Sequence, residues 1–508
     1  MLSTFQIVRL VVVCLVLTSL GTAGVIVNSP IDVIASIAPA TFSSLGYGTN
    51  SYKDWGNEPS ITVNPTNLNQ MVISSFSYGT NTTTAGANIF YSTNAGASWT
   101  SQFSVPSPSN GVDIPNDWRF QYDSSGNLHG VALGGCNSCN IYQGSTSNPT
   151  SLAAWSWTGG GTKINSSASL NNADQPWIAL NGSNVFVGYD DFHAGTDVRL
   201  TASGNNGGSF TVDHSMINAP QSSGVNPGTR IAVDGTGNIY SIYTMGSGST
   251  NGVHNVTYYL NRSTDGGATW NFLGNSAVGG IVVGSGVSDQ LHNMVGSGGT
   301  ATQASNDWFA GVNDIRGSYT AIAADATGSH VYAVWGKRDI NNVDRIYVTE
   351  YHPSGATLVA GATSIVSLAG QWGALPSITV LADGTVVVMY DAYDSTDGTV
   401  HVHVVSSSDN GASFSGDSDI YSFSPTSLLL ATGSTSTDRE FGDYQFLMSE
   451  GNQFFGTFVA RGNNLGANNT SNLIDPFFFS GASNGVPEPG TLMLASGAVV
   501  ALVMRRRR

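Results

Sequence analysis

The chain has 508 residues, of which 10% are charged, and a formal net charge of −16. An acidic body with three lysines excludes nucleic acid and anionic membrane surfaces as partners, since both require a basic face. The abundance of Gly, Ser, Thr and Asn suits a fold of short strands joined by many turns.

Residues 1–23 hold Arg9, an apolar run over 10–17 and the small-residue stretch Gly21-Thr22-Ala23. This pattern predicts a secretory signal peptide cut after Ala23, the run being too short to span a bilayer. The body, residues 24–485, then repeats an alternating strand, a turn and a second alternating strand. The first hairpin is Ile61-Thr62-Val63, Asn64-Pro65, Met71-Val72-Ile73, and a weaker copy covers 120–132. Clear copies follow at Ile178-Ala179-Leu180 with Val185-Phe186-Val187, and at Ile231-Ala232-Val233 with residues 239–243. The pattern returns over 321–335, at Ile378-Thr379-Val380 with 386–390, and over 444–460, turning at Glu450-Gly451. Seven hairpins therefore start near residues 60, 120, 177, 230, 320, 377 and 444.

Four of them are followed by one motif, Ser-x-Asp/Asn-x-Gly-x-Ser/Thr-aromatic. Its copies run from Ser92 to Trp99, Ser203 to Phe210, Ser263 to Trp270 and Ser407 to Phe414. Its Asp or Asn accepts backbone N–H groups of the turn, while its Gly takes a conformation a Cβ obstructs. A decayed copy is expected over 145–155, and 351–355 occupies the equivalent place after hairpin five. The stretch 276–318, with Asp289, His292, Asp307, Trp308 and Asp314, is expected to rise over the ring as a lid. Cys136 and Cys139 are expected to form a small disulfide.

At the far end, Val486-Pro487-Glu488-Pro489-Gly490 precedes an apolar stretch over 492–504 and the arginines 505–508. Thirteen residues reach about 20 Å as a helix, short of a hydrocarbon core of roughly 30 Å. Residues 486–508 resemble the PEP-CTERM sorting tail recognised by exosortases. The resemblance implies signal peptidase and exosortase as transient partners, brief membrane insertion, and a final place in the envelope, at the cell surface or in the extracellular matrix. Without both signals Lys+Arg falls from 17 to 12 and Asp+Glu from 33 to 32, a net charge near −20.

The four repeated turns resemble the Asp-box, or BNR repeat, of sialidase-like β-propellers. With the seven hairpins this implies one all-β propeller of four-stranded antiparallel blades, seven preferred and six the alternative. Residues 25–37 are expected to supply the last outer strand and so close the ring.

In that geometry the Asp-boxes lie on one face, and any pocket is built on the other, just before and after each hairpin. Scarce charges gather there: Glu58, Asp117, Arg119, Asp174, Arg230, Arg316, Arg439, Glu440 and Asp443 before the hairpins. Asp190, Asp191, His193, Lys337, Arg338, Asp391 and Asp394 follow them. In a sialidase-like glycoside hydrolase three arginines clamp the substrate carboxylate. By resemblance these are Arg119, Arg230 and Arg316, with Arg439 as substitute. Tyr444 with Glu440 forms the nucleophile pair, and Asp174 or Asp191 is the acid. The family's Arg-Ile-Pro motif is missing: Arg230-Ile231 lacks the proline and Asp113-Ile114-Pro115 the arginine. Two other readings stand beside the enzyme, which would act on acidic or matrix glycans. One is a non-catalytic adhesion module binding polysaccharide or a surface protein. In the other, the same charges pair across blade junctions to hold the ring. No cofactor or metal is expected, and Asp190, Asp191, Asp197, Asp391, Asp394 and Asp397 read as turn aspartates.

Overall fold

A computed structural model describes residues 24–36, 58–75, 88–101, 105, 108, 116–134, 139–149, 154–165, 172–223, 225–250, 253–288, 319–423, 442–461 and 474–484. Both terminal signals, and with them the expected boundaries at 23 and 486, lie outside the described residues. The described chain forms seven antiparallel sheets and contains no α-helix.

The N-terminal strands are β1 (Val25–Val27) and β2 (Ile31–Asp32). Blade one comprises β3 (Ser60–Val63), β4 (Met71–Ser75), β5 (Asn88–Ser92) and β6 (Thr100–Ser101). Blade two comprises β7 (Asn116–Tyr122), β8 (Leu128–Gly134), β9 (Asn140–Thr146) and β10 (Ser156–Trp157). Blade three comprises β11 (Ala173–Asn181), β12 (Asn184–Asp191), β13 (Asp197–Ser203) and β14 (Val212–Ser215). Blade four comprises β15 (Arg230–Val233), β16 (Ile239–Thr250), β17 (Val253–Ser263) and β18 (Ile281–Ser288). Blade five comprises β19 (Ala321–Ala324), β20 (Val331–Arg338), β21 (Asp344–Ser354) and β22 (Thr357–Ile365). Blade six comprises β23 (Trp372–Val380), β24 (Val386–Asp394), β25 (Thr399–Ser407) and β26 (Ser415–Phe423). Blade seven comprises β27 (Phe446–Glu450), β28 (Gln453–Arg461) and β29 (Ile474–Ser483).

Blade seven is completed by the chain's other end. β1 pairs antiparallel with β29, Val25 opposite Ser483 and Val27 opposite Gly481, as the sequence predicts. The first strand of each blade contacts its counterpart on the next, and β27 meets β3, so seven inner strands enclose a central channel. The preferred blade count holds.

The repeated turns are built as their chemistry demands. In each, the Ser hydroxyl bonds the Asn or Asp, whose Oδ1 accepts the N–H of the residue four positions on; Ser98 donates to Asn94 at 3.0 Å and Thr269 to Asp265 at 2.9 Å. The Gly of each turn also lies against the preceding blade: Gly96 on Phe478, Gly207 on Gln143, Gly267 on Leu200 and Gly411 on Tyr332. The motif is therefore a blade-to-blade spacer as well as a turn. Trp99 and Trp270 are buried behind it, whereas Phe210 and Phe414 are half-buried.

One expectation is corrected. Residues 281–288 of the expected lid are the outer strand β18 of blade four, paired with β17 from His254 to Leu260. Alternation there is masked by Gly284 and Gly286, which leave room for Trp335 and Lys337 of blade five. Residues 276–280 lead into that strand, Val278 accepting the Asn218 N–H of blade three, and 289–318 lie outside the described residues. Cys139 is disulfide-bonded; Cys136 lies outside the described residues.

Candidate functional site

Five inner strands begin with the same backbone device. Glu58, Asp117, Gln175, Gly228 and Leu375 all have φ between 47° and 55°, in the left-handed region. Each stands two residues before a channel-side position: Ser60, Arg119, Trp177, Arg230 and Ser377. In blades two, three and six the ladder register slips there, between Asn116 and Arg119, Asp174 and Trp177, and Ala374 and Ser377. Such bulges re-aim side chains at a rim, and non-glycine residues in this conformation cost roughly 1–2 kcal/mol each. Strain repeated around one mouth marks a place where side-chain direction matters.

The next layer closes the channel. The guanidinium carbon of Arg119 lies 3.3 Å from the Trp177 ring centroid and 4.0 Å from that of Phe446, in the corner between two rings inclined at 69°. Arg230 sits 4.3 Å from Trp177 and 5.2 Å from Tyr444. Trp177 meets both Tyr444 and Phe446 edge-on at 5.5 Å. Blades three and seven are not neighbours in the ring, so these contacts cross the axis. The result is a plug of aromatic rings and two buried arginines.

Above the plug, hydrogen bonds tie four blades together. Arg230 Nη1 donates to Gln175 Oε1 at 2.9 Å and to the Thr229 carbonyl at 3.0 Å. Gln175 Nε2 donates to Asp443 Oδ2 at 2.6 Å, and the Asp443 N–H donates to Glu58 Oε1 at 3.1 Å. Asp190 accepts from both the hydroxyl and the N–H of Thr229. Arg230 Nη2 and the Nε and Nη1 of Arg119 are buried and have no partner among the described residues.

Burial sets the protonation states. It pushes the Asp190 carboxyl up to about 7, opposed by the Thr229 hydroxyl and reinforced by nearby Asp174. It raises the Tyr444 phenol well above its ordinary value, and the charges of Glu58 and Asp117 add to this. It lowers the Arg119 guanidinium to about 9, with Tyr444 opposing and Arg230 adding. Arg230 is lowered by burial but supported by Asp190, Tyr444, Asp443 and Glu58. At neutral pH Tyr444 is a neutral phenol.

Of the residues singled out from sequence, Arg119, Arg230 and Tyr444 meet at the plug, and Asp174 lies half-buried beside Asp190. Asp191 does not join them. Its Oδ1 accepts the His193 N–H, and its charged neighbours are Arg199 and Asp197. Arg316, Arg439 and Glu440 lie outside the described residues. Three residues without an assigned role proved central: Glu58, whose charge acts on the Tyr444 phenol, Gln175 and Trp177. A signal for the first two was present. Glu58-Pro59, Gln175-Pro176 and Leu375-Pro376 repeat at one offset before three inner strands.

Below the plug the channel opens into a cavity of about 260 Å³ reaching the face of the repeated turns. No group of His, Cys, Asp and Glu among the described residues is arranged to hold a metal ion.

No protein-family model and no curated protein matches the chain. Among solved structures it is similar to the Penicillium chrysogenum α-L-arabinanase complexed with arabinobiose, at 13% identity and a TM-score of 0.44, over 89% of this chain and 98% of that one. It is similar to the Fusarium graminearum GH93 α-L-arabinofuranosidase at 11% identity and TM-score 0.45, over 89% and 97%. It is also similar to the Ruminococcus gnavus intramolecular trans-sialidase at 11% and 0.39, over 69% and 94%.

Proposed function

We propose that the channel mouth is a carbohydrate-active site for an acidic or matrix glycan. The observation that carries this is the convergence of Arg230, Tyr444, Glu58, Asp174 and Asp190 from blades one, three, four and seven, with the buried Arg230 Nη2 having no partner among the described residues. A planar guanidinium with a spare donor suits a sugar carboxylate. In the hydrolytic reading, Tyr444 attacks the anomeric carbon while Glu58 takes its proton. Asp174 protonates the leaving oxygen, and water then releases the glycosyl group from the tyrosine. Arg316 and Arg439 are proposed to complete the clamp.

We infer also that the chain is exported through residues 1–23 and processed by an exosortase at Pro487-Glu488-Pro489. The disulfide at Cys139 suits an oxidising compartment outside the cytoplasm. The repeated turns remain, in this reading, Asp-boxes that space the blades.

The test is release of free sugar from sialylated, uronic-acid and neutral glycans by residues 24–485, with Tyr444→Phe and Asp174→Asn as controls. Turnover on an acidic glycan, abolished in Tyr444→Phe, is expected. One observation favours a second reading: the Tyr444 phenol is held neutral rather than activated. No turnover, with glycan binding lost in Arg230→Met, would leave an adhesion module.

A further inference from the structure

The two buried arginines of the plug are not equivalent. Arg230 is surrounded by carboxylates above the plug and does not line the lower channel. Arg119 lines it and is 2% exposed, and its Nε and Nη1 have no partner among the described residues. Trp177 and Phe446 close it in from two directions, and the cavity it lines is the space left for a partner to its N–H groups.

The sequence hollows out the space beneath it. Side chains two residues apart on a strand share a face, so the channel-side layer after Arg119 and Trp177 is given by adding two. That layer holds Thr62, Gln121, Ala179, Ala232, Ala323, Thr379 and Met448, five of the seven small and two of those hydroxylated. Among the described residues, the only other ionisable group on the wall is Glu450, at the turn end of β27 and four residues beyond Phe446, roughly 13 Å along the strand. An uncompensated guanidinium therefore faces a small cavity with mixed apolar and hydroxyl walls. Burying a cation without a counter-charge is costly, and a planar anion arriving edge-on supplies one.

We propose that the lower channel is a binding cavity for a compact carboxylate, which enters from the face of the repeated turns and pairs with the in-plane N–H groups of Arg119. Its apolar tail lies against Ala179, Ala232 and Ala323. This site is separate from the one proposed for the mouth and does not depend on that reading.

The probes are sodium acetate and propionate, titrated against residues 24–485 at ionic strength held constant with sodium chloride. Thermal unfolding and calorimetry are the readouts. Above the dissociation constant, Tm is expected to rise by about 1–3 °C for each tenfold increase in carboxylate. Gln121→Phe places a ring beneath the guanidinium, and Ala232→Leu narrows the cavity from another blade; folded samples of either are expected to lose the response. Arg119→Met is expected to lose it too. An equal response to chloride alone, no response at all because water fills the cavity, or a response kept in folded Gln121→Phe would overturn the proposal.

Discussion

The repeated turns should be tested by two neighbouring glycines. Gly266 and Gly267 have φ of +73° and +89°, so alanine at either meets the left-handed penalty of about 1–2 kcal/mol. Their surroundings differ. A Cβ on Gly266 meets nothing within 4 Å, whereas one on Gly267 falls 2.2 Å from Leu200 Cδ2 on the preceding blade. Leu200 is fully buried, so it cannot swing clear without disturbing its own packing. Overpacking of this kind adds about 1–3 kcal/mol. Gly266→Ala is thus expected to cost about 1–2 kcal/mol and Gly267→Ala about 2–5 kcal/mol. Because the next contacts of that Cβ are at 3.7 Å, removing the leucine methyls relieves the clash. Leu200→Ala alone should cost about 2–5 kcal/mol, and the double variant should fall short of the sum by about 1–3 kcal/mol. Urea denaturation of residues 24–485, with matched m-values, measures all four corners. Equal costs at the two glycines, or strict additivity with Leu200→Ala, would refute the spacer role.

Three further outcomes follow from the mouth and the ring closure. The folded pKa of Asp190, about 7, lies above its unfolded value, so the folded state holds an extra proton between roughly pH 4 and 7. Its contribution is full below the unfolded value and is lost as pH rises through about 7; Asp190→Asn should flatten that decline, by at most about 1.4 kcal/mol per pH unit, in denaturation midpoints across that range. Gln175→Leu strips Arg230 Nη1 and Asp443 of a partner while keeping a side chain that Leu375 shows the backbone accepts at φ near 47°. It should cost about 2–5 kcal/mol, read by the same unfolding assay, and no loss would show that water replaces the amide. Deleting residues 24–27 removes β1 and bares the edge of β29; faster proteolysis within 474–484 and concentration-dependent association in gel filtration are expected.

The blades were legible because they rest on local rules repeated seven times. Ile61-Thr62-Val63 and Ile378-Thr379-Val380 alternate, their turns use Asn64 and Asp383, and the structure confirms both hairpins. Even the closing strand could be inferred, since β29 lacked a fourth partner within its own segment. β18 was hidden for a physical reason. Its sequence, Ile281 to Ser288, carries Gly284 and Gly286 where bulk from blade five intrudes, so the shape of a neighbour is written as missing side chains. An outer strand with one buried position in eight has little apolar alternation to show.

The site was less legible because a bulge breaks the count on which facing is judged. Asp190 and Asp191 are adjacent acids, and only the ladder, Asp190 opposite Asp174 and Asp191 opposite Ala173, decides which turns toward Arg230. At Asp117 and Gln175 the register slips, so a reader stepping by two from Phe120 or Ile178 loses the phase just where the mouth begins. Trp177 likewise reads as an ordinary strand aromatic; that it crosses the axis to Tyr444 and Phe446 depends on ring size, which no strand encodes alone. The arginines were found by scarcity, and scarcity could not divide them. Position divides them: Arg230 follows a left-handed glycine and meets four acidic or phenolic groups, whereas Arg119 lies in the corner of two rings with an open channel beneath it. One layer of the channel thus holds two cations in opposite circumstances, and the chemistry of each follows from what the other blades place beside it.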